Sequence, residues 1–196
     1  MAQPETSFDA LRATARDLDI GFISGPLQPP EAGRLWIGHQ TLAELLLPGW
    51  ADRNVALAII AGGPGTGRIL SGSARLDLQR LARLEQAATT AGGHVYQGRL
   101  ALLTPADWLR LHGQTAQQAR QAEPPPRPGE WQDNPATAVI ASLDTDPVYE
   151  AARAAGWPAT FANEPVLFLG DQPLYHLLMR ENVGRVVTLV IGELED

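Results

Sequence analysis

The glycine-rich stretch AGGPGTGR, residues 61–68, is the part of this sequence best suited to hold a small anionic ligand. It follows an apolar run, and its glycines can leave backbone N–H groups free to donate hydrogen bonds to a phosphate. It matches neither the P-loop pattern nor the dinucleotide-binding pattern, and no helix is predicted directly after it. It is therefore either an anion-binding loop or a plain connection. The candidate ligand-binding residues are Gly62, Gly63, Gly65 and Gly67, with Arg68 as the counter-charge.

The other residue types exclude several kinds of catalysis. The chain has no cysteine, which removes thiolate metal sites, disulfides and cysteine nucleophiles. All 15 basic residues are arginine, so there is no lysine for a Schiff base. We identify no catalytic residue, expect no metal site and no cofactor, and favour a binding protein over an enzyme. The four histidines, which lack zinc-binding spacing, are His39, His94, His112 and His176.

Charge and hydropathy limit the partners and the location of the chain. Its 196 residues carry a formal net charge of −7, so nucleic acid is disfavoured as a partner. We interpret the arginines between positions 68 and 83 as the solvated face of a helix. No apolar run is long enough to cross a bilayer, and the N-terminus lacks the pattern of a signal peptide. We therefore expect no membrane association and a cytoplasmic location for this acidic protein.

Apolar periodicity predicts an alternation of helices and strands. A helix is expected from Thr6 to about Leu18, and the proline-rich segment 26–33 is expected to be a turn, because proline cannot donate to a strand ladder. The segment 94–103 is predicted to be a strand pair or one long strand. The other predicted strands are 20–25, 34–38 and 54–60, and the other helices are 39–47 and 76–91.

The chain divides at a polar, proline-rich segment. Residues 1–113 are predicted to be an N-terminal α/β region, and residues 114–135 a linker in which Trp131 is a candidate partner contact. Residues 136–196 follow the order β-α-β-β-α-β, which is typical of a ferredoxin-like unit. Its predicted strands are 137–143, 158–163, 165–170 and 185–192, and its predicted helices are 147–155 and 171–182.

One short stretch occurs twice. LWIGHQTLAELLL at 35–47 matches LFLGDQPLYHLLM at 167–179, at an offset of 132 positions. Gly38 and Gly170 are expected to lie where the chain turns out of a strand, and His39 and Asp171 where a helix is capped. The apolar pattern continues ungapped into the next strand of each copy. We therefore predict an α+β fold in which an α-β-β-α-β unit is internally repeated two or three times.

These observations favour a non-enzymatic protein-interaction or regulatory protein on a repeated α/β scaffold. Exposed sheet edges would suit a protein partner or self-association into a homo-oligomer. The alternative is a sensor that binds a nucleotide or another small molecule, at the glycine-rich stretch 61–68 or in the cleft between the repeats. The sequence identifies neither the ligand nor the partner.

Overall fold

The computed structural model describes residues 4–31, 34–69 and 72–103, and from the C-terminal part residues 166–170, 172–174, 177–178, 182 and 184–195. Within these ranges the protein is a mixed α/β fold, in which three helices cover a curled, mainly antiparallel sheet. Leu174, Leu177, Leu178 and Asn182 are also helical. The elements are α1 (Pro4–Asp17), β1 (Gly21–Glu31), β2 (Arg34–Ile37), β3 (Gln40–Thr41), α2 (Leu42–Trp50), β4 (Asn54–Ala61), β5 (Gly67–Ile69), β6 (Arg75–Leu76), α3 (Leu78–Thr90), β7 (His94–Leu103), β8 (Val166–Leu169), β9 (Gln172–Pro173) and β10 (Val186–Leu194).

The strands form a sheet in the order β3-β2-β1-β10-β4-β7-β8-β9. Neighbours in this order are antiparallel; β5 pairs antiparallel with β1, and β6 pairs in parallel with the end of β10. Two long strands each take part in two successive pairings. β1 pairs with β10 through 21–26 and then with β2, whereas β7 pairs with β4 through 94–99 and then with β8 through 100–103. The sheet curls because each long strand leaves its centre to join a hairpin.

The helix α2 begins later than the sequence predicts. The chain first forms the short strand β3, and the N-cap is Thr41 rather than His39. The Thr41 hydroxyl accepts a hydrogen bond from the N–H of Glu44 at 3.1 Å, and the Thr41 N–H donates to the Glu44 carboxylate at 3.0 Å. This reciprocal pair fixes the first turn of the helix. His39 lies in the preceding turn, which Gly38 makes with a φ of +62°.

The proline-rich segment 26–33, predicted to be a turn, is largely strand. β1 continues to Glu31 and pairs with β2 on both sides of an irregularity where two prolines lie. The C=O group of Pro26 still accepts a hydrogen bond from the N–H of Gly38 at 3.0 Å. The prediction is wrong because proline removes only a donor; at an outer position of a sheet the strand can continue where no partner needs that donor.

Side chains from the two faces of the sheet form two apolar cores. One core lies between the sheet, α2 and the helical residues Leu174 and Leu178, and includes Trp50 and Phe168. The other lies between the sheet, α1 and α3. Its members, which follow the 3.6-residue period of each helix, include Leu11, Ala15, Leu18, Leu84 and Ala88, all at 0–1% exposure.

Pairings in the two halves of the chain correspond position by position. The β2–β3 hairpin pair Trp36↔Thr41 matches the β8–β9 pair Phe168↔Pro173, 132 positions later. The turn glycines Gly38 and Gly170 have φ values of +62° and +63°, as expected at a turn out of a strand. The β1–β10 pairs correspond to the β7–β4 pairs in the same way. For example, the pair Gly21↔Ile191 corresponds to the pair His94↔Ile59. The β7 residue comes 73 positions after the β1 residue, and the β4 residue comes 132 positions before the β10 residue.

At two corresponding places in the sheet, a glycine packs against an isoleucine of the neighbouring segment. A Cβ atom on Gly192 would lie 2.7 Å from the side chain of Ile20, and one on Gly93 would lie 2.4 Å from the side chain of Ile60. At the offsets of 73 and 132, Gly93 corresponds to Ile20, and Ile60 to Gly192. Each of these two junctions therefore contains one isoleucine and one glycine. In one the isoleucine precedes β1 and the glycine lies in β10, whereas in the other the glycine precedes β7 and the isoleucine lies in β4.

The ferredoxin-like arrangement predicted for 136–196 is not confirmed. β10 lies between β1 and β4, both from the first 61 residues of the chain. The strands predicted at 137–143 and 158–163, the helix at 147–155 and the linker at 114–135 lie outside the described residues. None of the helices within the described ranges is long and apolar enough to cross a membrane.

We predict that Gly192→Ala lowers the free energy of unfolding by about 1–3 kcal/mol, because the added methyl group overlaps Ile20 and Leu76. Gly49→Ala, in α2, is the matched control: a Cβ atom there has no neighbour within 4 Å. It should stabilise the protein by about 0.5–1 kcal/mol, the usual gain on replacing a helical glycine. Urea unfolding of both variants measures the difference, and equal effects would contradict the close packing at Gly192.

Candidate functional site

The glycine-rich stretch is a connection between two strands and crosses the end of a third. It leaves β4, passes over β10 and enters β5, which pairs with β1. The N–H of Gly62 donates to the C=O of Val186 at 2.7 Å, which holds the start of the crossing against β10. A Cβ atom on Gly62 would lie 3.2 Å from the ring of Phe8 in α1. The first half of the loop therefore packs on the α1 face of the sheet.

Gly63 lies against a buried pair of hydroxyl groups. The hydroxyl of Thr188 donates to the C=O of Gly62 at 2.8 Å, and its oxygen lies 3.1 Å from the Ser24 hydroxyl oxygen. A Cβ atom on Gly63 would lie 2.1 Å from Thr188 Oγ1 and 2.6 Å from Ser24 Oγ, and the φ of Gly63 is +139°. Glycine is needed here because the backbone approaches two side chains in a conformation that other residues rarely adopt.

Three N–H groups of the loop have no hydrogen-bond partner among the described residues. The N–H groups of Gly63, Gly65 and Thr66 form no hydrogen bond with any of the described residues. Two of them, Gly65 and Thr66, are consecutive, and successive free N–H groups are a feature of anion-binding loops. These N–H groups are the donors that the anion site predicted from the sequence would use.

Arg68 lies on the other face of the sheet. It is paired with Ile23, whose side chain belongs to the core beneath α2, whereas Ser24 and Gly63 face the α1 side. Successive residues of a strand point to opposite faces. The guanidinium of Arg68 donates to the side-chain oxygen of Gln40 in β3. The counter-charge predicted from the sequence is thus engaged by the β2–β3 hairpin, away from the free donors of the loop.

The other basic residues of the stretch 68–83 also make contacts within the chain. Arg75 pairs with Glu193 at 3.1 Å, and Arg83 lies 3.9 Å from a carboxylate oxygen of Asp17. Arg80 donates to the C=O of Arg75 at 3.1 Å. These are exposed contacts of the kind that stabilise a protein by at most about 1 kcal/mol.

The candidate histidines do not assemble into a site within the described part of the chain. His39 lies exposed in a turn, and His94 lies exposed at the start of β7. No group of three His, Cys, Asp or Glu side chains suited to a metal occurs among the described residues. His112, His176 and the partner-contact candidate Trp131 lie outside them.

The outer edge of β7 is a feature that the sequence analysis missed. The N–H of Leu100 donates to the C=O of Arg53 at 2.9 Å, which shows that even-numbered residues of β7 face β4. Since adjacent residues of an antiparallel strand bond to opposite sides, the N–H and C=O groups of Val95 and Gln97 point away from β4. Among the described strands, none pairs with β7 on that side at 94–97.

The corresponding edge of β1 is covered. Phe22, Ile23 and Ser24 pair there with Ile69, Arg68 and Gly67 of β5. At the offset of 73 these β1 residues correspond to Val95, Tyr96 and Gln97 in β7. Within the described ranges, the two halves therefore differ at their outer edges, although their central pairings correspond. In the sequence, β1 and β7 match only weakly, as GPL at 25–27 and GRL at 98–100, and this match does not indicate which strand edge is covered.

Comparison with protein-family models, with curated proteins and with solved structures finds no match to this chain. The loop and the edge of β7 therefore have to be interpreted from their own chemistry. The loop offers backbone donors, and the edge of β7 offers alternating backbone donors and acceptors along a strand.

We predict that Gly63→Ala lowers the free energy of unfolding by about 3 kcal/mol, because it adds a clash with Thr188 to a strained backbone conformation. Gly65→Ala is the control: its φ is +71°, but a Cβ atom would meet only Val186 at 3.7 Å. It should cost about 1 kcal/mol. Urea unfolding checks both values, and Thr188→Ala should reduce the cost of Gly63→Ala. Equal costs for the two glycine variants would show that Gly63 is not held against the hydroxyl pair.

Proposed function

We propose that the chain is a non-enzymatic protein-interaction or regulatory protein built from two equivalent α/β units. The first unit runs from α1 to β4, and the second from α3 to β10. Three features support the repeat: corresponding strand registers, turn glycines with matching φ at Gly38 and Gly170, and the exchange of isoleucine and glycine at the two junctions. The units are related by a two-fold rotation near the pair Ala58↔Val190, whose members lie 132 positions apart.

The observation that carries the interaction function is the edge of β7 at 94–97, with which none of the described strands pairs. An edge strand with free N–H and C=O groups is a template for another strand, and natural proteins usually cover or charge such edges. In the first unit, the equivalent edge of β1 is covered by β5, which follows that unit in the chain. In the second unit the described strands leave the equivalent edge open, with the backbone groups of Val95 and Gln97 pointing outward. Strand addition to an open edge is a common mode of protein recognition.

Exposed apolar side chains offer a second type of contact surface. Leu78 at the start of α3 is 86% exposed, and Leu102 near the end of β7 is 43% exposed. Single exposed leucines are common on soluble proteins. We therefore use these leucines as control positions for substitutions and do not base the function on them.

The alternative function is a sensor of small anionic ligands. The free N–H groups of Gly63, Gly65 and Thr66 favour it. The position of Arg68 weakens it, since its guanidinium is bound to Gln40 on the other face of the sheet.

Capture of partners from an extract of the protein's own cells, with the purified chain as bait, tests the interaction function. Gln97→Pro removes an outward N–H group without removing a hydrogen bond to β4, whereas Gln97→Ala keeps that group. A partner should be retained by the wild-type chain and Gln97→Ala, and lost with Gln97→Pro. Thermal unfolding checks that both variants are folded.

The outcomes separate the function from its site. A partner retained equally by Gln97→Pro but lost with Leu102→Asp would support the function and place its surface elsewhere. A chain that retains no partner in any form would contradict the interaction function.

For the sensor, we predict that a phosphate-containing ligand at about 100 times its Kd adds roughly 2.7 kcal/mol to the free energy of unfolding. Thr66→Pro, which removes a free N–H group, should abolish the resulting rise in melting temperature, and Thr66→Ala should not. Arg68→Ala should reduce it only if the guanidinium leaves Gln40 on binding. A thermal-shift panel of nucleotides and phosphorylated metabolites measures this, and the absence of any shift would contradict the sensor function.

A further inference from the structure

The strand β5 shows what kind of segment fits the outer edge of a unit. It runs antiparallel to β1 and presents, from its N-terminal end, Gly67, Arg68 and Ile69 opposite Ser24, Ile23 and Phe22. The N–H of Leu27 donates to the C=O of Arg185 at 2.8 Å, so odd-numbered residues of β1 face β10. Phe22 and Ser24 therefore face β5 with their backbone groups, and Gly67 and Ile69 return those hydrogen bonds.

The equivalent edge of β7 has the same backbone polarity and the same neighbouring side chain. Val95 and Gln97 correspond to Phe22 and Ser24, and their N–H and C=O groups face outward. Gln40, which accepts the hydrogen bond from Arg68, corresponds to Gln172 in the β8–β9 hairpin. The side chain of Gln172 is exposed and forms no hydrogen bond with any described residue.

The part of the β7 edge that the described strands leave unpaired is short, and the β8–β9 hairpin fixes where it ends. The N–H of Gly170 donates to the C=O of Arg99 at 2.8 Å, so the β8–β9 hairpin takes the edge from that residue onward. A Cβ atom on Gly98 would lie 2.8 Å from the nitrogen of Gly170, which leaves no room for another strand beside it. About four residues, 94–97, remain, roughly 13 Å of strand at about 3.3 Å per residue.

On the basis of the proposed interaction function, we propose that this edge binds an extended segment of a partner protein, antiparallel to β7, with the pattern small–basic–aliphatic. The small residue lies opposite Gln97, the basic residue opposite Tyr96 and the aliphatic residue opposite Val95. The basic side chain donates to the oxygen of Gln172, as Arg68 donates to Gln40. The aliphatic side chain extends the core beneath α3, against which Val95 is packed.

A second copy of the chain fits the edge less well than such a segment. In an antiparallel pair of two β7 strands, residues whose backbone groups face outward must lie opposite each other. If the pairing is confined to 94–97, Val95 of one copy lies opposite Gln97 of the other, and the two Tyr96 residues lie opposite each other. No basic side chain then lies opposite Tyr96, and Gln172 has no donor. A foreign strand with the pattern of β5 satisfies both positions.

The probe for this proposal is a fluorescent synthetic peptide with the sequence GTGRIL, residues 65–70 of this chain, added to the intact protein. We expect saturable binding by fluorescence anisotropy. Amide exchange followed by NMR should slow at least about tenfold at Val95 and Gln97, the size of change that one new hydrogen bond of about 1.4 kcal/mol produces. Exchange at Tyr96 and Gly98, whose N–H groups face β4, should stay unchanged.

Peptide variants test the register without altering the protein. Proline in place of the isoleucine removes an N–H group that faces β7, and binding should be lost. Alanine in place of the arginine should weaken binding roughly threefold to tenfold, as for one exposed hydrogen bond from a charged donor. Gln172→Ala in the protein should have the same effect, and the two changes together should weaken binding no more than either alone.

Four results would overturn the proposal. The first is slow exchange at Val95 and Gln97 in the dilute protein alone, which would mean that another part of this chain covers the edge. The second is slowing that appears only with increasing protein concentration and a doubled mass, which would identify a second copy. The third is no binding up to about 1 mM peptide, a limit of about −4.1 kcal/mol. The fourth is equal binding of the proline peptide. Peptide binding without any captured partner would support the edge and contradict the interaction function.

Discussion

The pairing of β4 with β10 is the interaction on which the rest of the structure depends. Residues 187–193 of β10 pair antiparallel with residues 55–61 of β4, and almost all of these side chains are buried on one face or the other. Burying such aliphatic side chains stabilises a fold by about 1.5–3 kcal/mol each. Because one strand comes from residues 54–61 and the other from the C-terminal part, each core is complete only where these two distant segments pair.

This central pair also determines where the open surfaces lie. β1 adds to β10 and β7 adds to β4, so the two long strands are held outside the centre and carry the hairpins away from it. Each long strand has one backbone edge facing outward before its hairpin begins. The chain after β4 returns to cover one of these edges as β5, and this return is what requires the glycine-rich crossing over β10. The loop is thus a consequence of this connection, and none of the described strands makes an equivalent return to the edge of β7.

Much of the local structure could be predicted from the sequence, and the exceptions have specific causes. The strand 94–103 and the glycine turns at Gly38 and Gly170 were readable because they depend on neighbouring residues. The start of α2 was not predicted correctly. Thr41 and Glu44 cap the helix within a segment whose leucines follow a helical period, so the apolar pattern does not mark the first turn. For the candidate site, the glycine-rich loop could be recognised in the sequence. The sequence did not indicate that Arg68 is separated from the loop, because this depends on the face of β5 from which its side chain extends.

The sequence by itself determined the alternation of elements, the lack of cysteine and lysine chemistry, and the match of the stretch 35–47 to the stretch 167–179 at an offset of 132 positions. Periodicity, capping residues and positive-φ glycines act over a few residues, so they are legible without a partner. Only the tertiary structure decided that β10 pairs with both β1 and β4, that β5 covers one outer edge and that the described strands leave the edge of β7 open. Strand pairing is made by backbone groups common to every residue, and its choice of partner comes from the packing of distant segments.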